Sequence, residues 1–364
     1  PRTVPNLFKR VHGMSPLTTA PSSTKKDILG LSKASLIVEL ESLGEKPFRA
    51  GQLFEWIYKR GLRDFSAMNN LGKSLRERLI ESYTLGALDI DRVQRSQRDG
   101  TAKYLFRCGD GQLVESVFLP HEGRNTACLS TQVGCAMGCT FCATGDSGFG
   151  RNLAPGEIVA QIQGMEADQG AEIHNLVLMG MGEPLHNWDN VREAMSTLLD
   201  SAGRHWGPRH ITLSTCGVVS GIDALRESGL KLRLAISLHS ADDDLRASIM
   251  PINRRYPLKQ LMRAVRDYQV ATELQVTFEY TLFKGLNDSP DQAHAVADLL
   301  KGLDAKLNLI PYNPVSGLPF EAPDFSAVTA FQEALRSRGL LAMVRTEKGG
   351  DIDAACGQLR RRAA

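Results

Sequence analysis

The sequence lacks any run of 18 consecutive apolar residues, so no segment is expected to span a membrane as a helix. It also shows no secretory signal pattern, and we expect no membrane partner. The sequence also lacks a large excess of one charge, because it has 43 lysine and arginine residues and 41 aspartate and glutamate residues. Apolar residues make up 42% of the 364 positions, which is enough for one large α/β domain and a smaller one.

Acidic residues are missing from the first 26 positions, which are rich in proline, serine and threonine. This composition predicts a disordered basic tail over 1–26, with an organellar transit segment as the alternative. Residues 46–80 form a second basic zone, and the arginines at 360–362 form a third. Most charged surfaces of proteins only contact solvent and bind no partner. Three basic zones in a near-neutral chain nevertheless favour a polyanionic partner.

The chain has seven cysteines. Cys139 and Cys142 form a C-x-x-C pair, and the sequence lacks a second such pair. Their odd number, in a chain of this length, argues against the disulfide framework of a small secreted domain. Metal binding or catalysis is then the favoured use of these thiols. The seven positions are Cys108, Cys128, Cys135, Cys139, Cys142, Cys216 and Cys356.

Hydrophobic spacing separates the first third of the chain into two regions. Apolar residues near 3.6-residue spacing predict a small helical domain over 27–86, which carries most of the second basic zone. Strand patterns at 102–107 and 114–119 then predict a β-hairpin connector over 87–125.

From residue 126 to about residue 350, strand patterns alternate with helical patterns. Repeated β–α units with buried strands predict an α/β fold with a parallel sheet, either open or curled into a full or partial barrel. Residues 351–364 remain as a C-terminal segment. Strands are predicted at 126–131, 175–181, 210–215, 232–238, 275–282, 305–310 and 341–345, and helices at 155–167, 258–268, 291–301 and 325–338.

The strongest chemical signal is Cys135-Ala-Met-Gly-Cys139-Thr-Phe-Cys142. Three thiolates spaced four and three residues apart, in a loop with Gly134 and Gly138, can surround one small inorganic centre. Thiolates suit iron–sulfur clusters or zinc. Three ligands on a cubane cluster leave one iron open to a substrate, as at a catalytic metal.

Two other uses of these cysteines are alternatives to a cluster. A structural zinc ion would need Cys128 as fourth ligand, but such sites usually combine two C-x-x-C pairs. Three unrelated buried cysteines would not be expected at so dense a spacing. The sequence therefore favours a cluster.

Ligands of a parallel β–α array gather at the carboxyl ends of its strands, so polar residues there are candidates for the site. A carboxylate at position 183 suits hydrogen bonds from an amine, although the segment could be a plain turn. Serines also cap helices, the side chain of His239 is as readily structural, and Asn313 can shape a turn. The candidates are Gly182 and Glu183 after the second strand, Ser214 at the end of the third, Ser237, Leu238 and His239 at the end of the fourth, Asn313 after the sixth, and Cys356 past the last.

The C-x3-C-x2-C spacing, with the aromatic Phe141 before the last cysteine, resembles the signature of the radical S-adenosylmethionine (SAM) superfamily. The resemblance implies a partial (β/α) barrel and a 4Fe–4S cluster on Cys135, Cys139 and Cys142. It also implies that SAM chelates the open iron and is cleaved by one electron to a 5′-deoxyadenosyl radical.

Six further motifs are Leu113-Val-Glu-Ser-Val, Cys128-Leu-Ser-Thr-Gln-Val-Gly-Cys135, Met179-Gly-Met-Gly-Glu-Pro-Leu, Leu213-Ser-Thr-Cys-Gly, Met250-Pro-Ile-Asn-Arg and Asp351-Ile-Asp-Ala-Ala-Cys-Gly-Gln358. With these motifs, residues 27–359 resemble the RlmN/Cfr family of RNA methyltransferases, within that superfamily. The resemblance implies methylation of a ring carbon of adenosine in large-subunit (23S-type) rRNA. We expect C2, together with a tRNA adenosine, and the alternative is C8, as in the antibiotic-resistance branch.

The family's chemistry gives roles to three of these residues. Adenine C2 is electron-poor and cannot attack the methyl group of SAM, so a protein thiol acts as a relay. By resemblance, Cys356 takes a methyl group from one SAM, and a second SAM per turnover yields the radical that makes it a methylene radical. This carbon bonds to the adenine and links RNA to protein. Glu115 then removes the ring proton, and Cys128 attacks Cys356 to release the RNA as a disulfide forms.

The remaining expectations follow from that chemistry. A disulfide that must be reduced in each turnover favours a cytoplasmic enzyme, and we expect a monomer served by an electron donor such as flavodoxin. The helical domain at 27–86, with Arg254 and Arg255, is expected to bind the RNA backbone.

Cys108 and Cys216 match no relay position and are taken as structural. Two alternatives stay open: a radical SAM enzyme with a small-molecule substrate, and a zinc-stapled RNA-binding protein without catalysis.

Overall fold

The computed structural model of the chain describes residues 25–86 and 88–360. The tail predicted over 1–26 lies almost wholly outside the described residues, as do two of the three C-terminal arginines. Within the described ranges, no helix is long and apolar enough to cross a membrane.

Residues 26–84 form a small helical unit closed by two short strands. Ser32 caps its first helix, because the hydroxyl group accepts a hydrogen bond from the amide of Ser35. The second helix continues into a π-helical turn, Glu55–Lys59. The unit contains β1 (Lys26–Asp27), α1 (Lys33–Ser42), α2 (Phe48–Phe54), a short 3-10 helix (Phe65–Ala67), α3 (Lys73–Ser82) and β2 (Tyr83–Thr84).

One glycine allows this unit to approach the rest of the molecule closely. Gly30 has a φ of +83°, and a Cβ there would lie 2.3 Å from the backbone carbon of Pro155. Its amide donates to the hydroxyl of Tyr58 at 2.7 Å, and its carbonyl accepts from the hydroxyl of Thr197 at 3.1 Å. Since only glycine fits here, the unit packs directly on the helix that begins at Pro155.

A ten-stranded sheet forms the body of the molecule. In spatial order its strands are β14 (Ala342–Val344), β13 (Ala305–Pro311), β12 (Val276–Leu282), β11 (Arg233–Ser237), β10 (Ile211–Thr215), β9 (Asn175–Leu178), β6 (Thr126–Cys128), β5 (Leu113–Leu119), β4 (Ala102–Cys108) and β3 (Leu88–Arg95). The strands from β14 to β6 are parallel, and β5, β4 and β3 continue the sheet antiparallel. Because β3 and β14 are edge strands, the sheet is open, which fits a partial barrel and not a full one.

The predicted hairpin connector is instead part of the main sheet. β4 and β5 match the predicted strands to within a residue, but β3 was not expected. β3 has the sequence LDIDRVQR and is mostly exposed, because it lies at an edge of the sheet. Leu88 and Ile90 alternate with aspartates, but the bulge between Ile90 and Arg92 breaks the alternation and leaves a run too short to predict a strand.

Helices separate the parallel strands and cover their buried residues. In β12, for example, Val276, Phe278 and Tyr280 are fully buried, and Phe331 packs against the ring of Tyr280 at 5.1 Å. Ser289 caps one helix through reciprocal hydrogen bonds with Gln292. The helices are α4 (Ala143–Asp146), α5 (Pro155–Gln169), α6 (Trp188–Leu199), α7 (Val219–Glu227), α8 (Asp243–Ile249), α9 (Leu258–Thr272), α10 (Pro290–Leu299) and α11 (Phe325–Ser337).

Candidate active site

The three cysteines of the C-x3-C-x2-C motif, here called the cysteine triplet, lie in the loop of an antiparallel ribbon. The ribbon pairs β7 (Gln132–Gly134) with β8 (Phe149–Asn152), and α4 lies within its loop. Gly134 has a φ of +75°, and a Cβ there would lie 1.8 Å from the carbonyl oxygen of Gly148. The amide of Cys135 donates to that same oxygen at 3.0 Å. The ribbon therefore fixes the start of the triplet and needs glycine to do so.

All three thiols of the triplet line one cavity of about 170 Å³, which we call the triplet cavity. Burial raises the pKa of the Cys135 thiol to about 12 and that of Cys139 well above its usual value. Thiols in such surroundings ionise when a metal cation binds them. Three thiolate donors around one cavity fit a 4Fe–4S cluster with an open iron, and Cys135, Cys139 and Cys142 are the residues that would hold it.

The structure does not place Cys128 where the zinc alternative needs it as the fourth ligand. Cys128 does not line the triplet cavity, and it faces Cys356 in a neighbouring one. Between residues 25 and 360, Ala87 aside, no three histidine, cysteine, aspartate or glutamate side chains converge on a single ion position. The fit to a cluster rests on the donor set and the shared cavity.

The carboxyl ends of the parallel strands open into the triplet cavity, as the topology predicts. Of the residues predicted at the ends of the parallel strands, Leu238 is the exception, because it is buried and does not line the cavity. The predicted residues that the cavity brings together with the triplet are Gly182, Glu183, Ser214, Ser237, His239, Asn313 and Cys356.

Glu183 is a buried carboxylate held by backbone donors. Its Oε1 accepts from the amide of Leu185 at 3.0 Å, and its Oε2 accepts from the amide of Cys216 at 2.8 Å. Burial raises the pKa of this carboxyl group, although both hydrogen bonds oppose the rise. The remaining lone pairs of a carboxylate fixed at the cavity wall suit the ammonium group of SAM.

His239 supports the loop after β11 through its side chain and its backbone. Its Nδ1 accepts from the amide of Thr281 at 2.9 Å, and its carbonyl accepts from the side chain of Asn287 at 2.9 Å. Burial lowers the pKa of His239 to about 3, so the ring is neutral at physiological pH. Its backbone has a φ of +56°, which turns the chain after β11. These contacts fit a structural role, and His239 also lines the triplet cavity, so its part in cofactor binding stays a prediction.

Residues 351–360, here called the C-terminal segment, lie against the loop of the triplet. The amide of Ala143 donates to the carbonyl of Gly357 at 2.8 Å, and the hydroxyl of Thr144 donates to the carbonyl of Leu359 at 2.7 Å. From the other side, the side chain of Asn313 donates to the carbonyl of Cys356 at 3.2 Å. These contacts hold Cys356 beside the triplet although more than 200 residues separate them in sequence.

A larger cavity of about 470 Å³ contains both Cys128 and Cys356, and we call it the Cys128–Cys356 cavity. Cys356 is exposed to it, whereas Cys128 is buried at the end of β6, where burial raises its pKa to about 12. Cys142, Asn313 and Cys356 line this cavity and the triplet cavity alike, so the two adjoin. Their combined size falls within the range of about 300–1,000 Å³ that is typical of cofactor and substrate sites.

Glu115 lies in neither cavity. It faces a third cavity of about 260 Å³, the Glu115 cavity, which is lined by β3, β4, β5 and the C-terminal segment. Its Oε2 accepts from the amide of Arg360 at 2.7 Å. Val117, on the same face of β5, lines the Cys128–Cys356 cavity. Two residues along a strand span about 7 Å, so Glu115 is near that cavity but is covered by the C-terminal segment.

Arg246 was not among the predicted site residues, yet it is completely buried and joins the loops after β10 and β11. Its guanidinium group donates to the carbonyls of Leu238, Ser237 and Cys216 at 3.0, 2.9 and 2.8 Å. It also donates to the side chain of Asn253 at 2.7 Å. The available signal was weak, because an arginine that follows three aspartates looks like a solvated surface residue.

We expect Arg246→Met to destabilise the protein strongly. Several buried acceptors would lose their donor at about 1–3 kcal/mol each, so the free energy of unfolding should fall by at least about 3 kcal/mol. Arg263 on α9, with a side chain that is 85% exposed, offers the matched control Arg263→Met. Chemical denaturation of both variants measures the difference, and a gap below about 1 kcal/mol would contradict the prediction.

Two further charged residues of the site, Glu279 and Arg345, were also missed. Glu279 is buried in β12 and lines the triplet cavity. Its carboxylate accepts from Asn308 at 2.9 Å and lies 3.8 Å from the guanidinium group of Arg345. Arg345 lines both the triplet cavity and the Cys128–Cys356 cavity. A carboxylate inside the otherwise apolar strand Val276–Leu282 was the available signal, since buried charges are rare unless paired.

Two family models match the chain. Residues 129–296 match the radical SAM superfamily, and residues 26–85 match the N-terminal domain of ribosomal RNA large subunit methyltransferases. The first match spans the cysteine triplet and most of the parallel strands, and the second spans the helical unit.

Similar proteins cover almost the whole chain. A probable dual-specificity RNA methyltransferase RlmN of Symbiobacterium thermophilum is 47% identical over 93% of this chain and 92% of its own. The dual-specificity RNA methyltransferase RlmN of Anaeromyxobacter dehalogenans is 45% identical over 93% and 95%. A radical SAM methyltransferase of Sphaerobacter thermophilus, known from its crystal structure, superimposes with a TM-score of 0.87 at 43% identity over 93% and 100% of the two chains. The chain therefore belongs to the RlmN family of dual-specificity RNA methyltransferases, within the radical SAM superfamily.

Proposed function

We propose that this enzyme methylates C2 of an adenosine in large-subunit ribosomal RNA and in tRNA, through a methyl group carried by Cys356. The observation that carries the proposal is that Cys128 and Cys356 line one cavity, which adjoins the cavity of the triplet. A radical SAM enzyme that acts on a small molecule needs no such thiol pair. The relatives' names supply RNA as the substrate class.

The first half of the reaction uses Cys356. When bound, the cluster and two SAM molecules per turnover supply the methyl group, the radical that removes one hydrogen atom from it, and the acceptor for the single electron left on the adduct. On the protein side, the Cys356 sulfur carries the methyl group and then bonds through that carbon to adenine C2. The exposure of Cys356 to the larger cavity gives room for a base turned out of its RNA stack.

The second half releases the RNA. The ring proton at C2 passes to a base, for which we propose Glu115. The Cys128 thiol then gives up its proton and forms an S–S bond with Cys356, as the bond from Cys356 to the methylene carbon breaks. The electron pair of that bond stays on the carbon, which takes up a proton and becomes the methyl group of the product.

Proton transfer to Glu115 requires the end of the C-terminal segment at Arg360 to move off the carboxylate. One oxygen of the carboxylate is bonded to the amide of Arg360, and the segment covers Glu115. Burial raises the pKa of Glu115, which suits a base that must take a proton from carbon near neutral pH.

We also propose that the helical unit grips the RNA. The guanidinium group of Arg60 lies 4.2 Å from the ring of Trp56, and that of Arg49 lies 4.8 Å from the exposed ring of Phe48. Arginines held against aromatic rings suit phosphates and stacked bases. Arg254 and Arg255 remain further candidates, and all such contacts should weaken with salt. We further propose a monomeric cytoplasmic enzyme that receives electrons from a donor such as flavodoxin.

Product analysis tests the proposal. The reconstituted protein is incubated without oxygen with SAM, a reductant and unmodified ribosomal RNA or tRNA, and the digested RNA is examined by nucleoside mass spectrometry. We expect 2-methyladenosine from both RNAs. An 8-methyladenosine product would show that the enzyme methylates C8 and not C2. If no methyladenosine forms although the cluster is intact, the proposed activity is wrong.

A further inference from the structure

Lys103 is a buried lysine in the Glu115 cavity, and its position has no role in the chemistry described so far. It lies on β4 opposite Val117 and reaches diagonally across to β5. Its Nζ lies 3.4 Å from Oε1 of Glu115, in an ion pair whose two side chains are 8% and 10% exposed. The same Nζ donates to the carbonyl of Asp353 at 3.2 Å. One ammonium group thus contacts the carboxylate of the proposed base and the C-terminal segment together.

The pair Lys103–Glu115 is bonded to the C-terminal segment on both sides of Cys356. Asp353, whose carbonyl accepts from Lys103, comes three residues before Cys356. Arg360, whose amide donates to Glu115, comes four residues after it. The short loop that carries Cys356 is therefore held at both ends by one buried ion pair.

We propose that Lys103 is a positioning residue for the proton transfer, because its ammonium group holds Glu115 as a carboxylate and ties it to the segment that carries the RNA adduct. This inference rests on the proposed function, in which Glu115 takes the ring proton. It goes further by assigning Lys103, which does not touch the substrate, to that step.

The charges around Glu115 set the direction of the effect. Burial raises its pKa, Lys103 and the amide of Arg360 lower it, and Asp353 raises it. Arg92 of β3 lines the same cavity. Only the carboxylate accepts a proton, so the step is active above the pKa of Glu115. Removing the charge of Lys103 raises that pKa further, and the acidic limb of the pH profile should move up by about one unit or more.

The test follows the RNA–protein adduct during a single turnover with labelled RNA. Samples are quenched over time at pH 6 to 9 and separated on denaturing gels, so that the decay of the adduct gives a rate at each pH. Lys103→Met removes both contacts of the ammonium group, and Lys103→Gln removes the charge but keeps a donor for Asp353. Arg107→Met is the matched control, because Arg107 lies on the same strand in an exposed ion pair with Asp91. Iron content and thermal unfolding show that each variant is folded.

We expect the adduct of Lys103→Met and of Lys103→Gln to decay about tenfold more slowly near pH 7, and to approach the wild-type rate at higher pH. Lys103→Arg, which keeps the charge, should retain most of the wild-type profile, and Arg107→Met should retain all of it. A purely structural role of Lys103 would lower the rate equally at every pH.

Glu115→Gln distinguishes a failure of the role of Lys103 from a failure of the role of Glu115. If Glu115→Gln blocks decay of the adduct but both Lys103→Met and Lys103→Gln keep the wild-type profile, the role of Lys103 is refuted and the proposed function stands. If the lysine variants lower the rate of adduct decay equally at all pH values, the role of Lys103 is refuted as well. If the adduct of Glu115→Gln decays at the wild-type rate, Glu115 is not the base. The role inferred for Lys103 then fails together with that assignment.

Discussion

Cys128→Ala is expected to leave the RNA covalently bound to Cys356. Without the second thiol, no disulfide forms and the bond between Cys356 and the methylene carbon persists. Each protein molecule then reacts once, so the yield of free methylated RNA under turnover conditions should fall by about a thousandfold or more. Denaturing gels should show a protein band shifted by the mass of the RNA, in an amount that approaches that of the enzyme.

The structure supplies a matched control for this variant. Cys108 at the end of β4 is also a buried free thiol whose pKa is raised to about 12, but it does not line the Cys128–Cys356 cavity. Cys108→Ala should turn over normally and give no shifted band. Cys356→Ala, alone or combined with Cys128→Ala, should give neither adduct nor product.

One result would contradict the relay. If Cys128→Ala released methylated RNA at the wild-type rate, the cavity shared by Cys128 and Cys356 would have no part in release. Hydrolysis or another thiol would then have to break the bond to Cys356, and the proposed disulfide would be wrong.

The local parts of the site could be predicted because the topology determines where they meet. The triplet needs only eight consecutive residues, and carboxyl ends of parallel strands must lie at one edge of the sheet. Glu183, Ser214 and Asn313 accordingly face the same cavity although they come from three different strands. The family matches confirm the predicted superfamily, the fold class and the methyltransferase class. The roles of the individual residues and the domain boundaries stay predictions.

The rest depends on contacts that no local pattern contains. The path of the C-terminal segment is set by Lys103, Thr144 and Asn313, each of which meets the segment across at least 43 residues of sequence. The covering of Glu115 follows from that path, so it could not be predicted. Arg246 belongs to the same class, because its burial becomes visible only when two loops close around it.

The cluster offers the second large effect, and Cys139→Ala is the variant that isolates it. Of the triplet, Cys139 is the middle member, and burial raises the pKa of its thiol well above the usual value. A cubane held by only two thiolates in this cavity should be lost on purification. We expect the iron content to fall from about four atoms per chain to nearly none, and methylation of RNA to fall below detection.

The expected loss is specific to the triplet and not to buried thiols in general. Cys108→Ala removes a buried thiol from β4, outside the triplet, and should retain iron, the broad visible absorbance and activity. Both variants should keep the secondary structure, because the triplet lies in the loop of the β7–β8 ribbon, whose strands pair without the thiol of Cys139. Circular dichroism together with iron and sulfide analysis makes the comparison. Full iron content in Cys139→Ala would mean that the cluster is held elsewhere, and the geometry of the triplet cavity would then need another explanation.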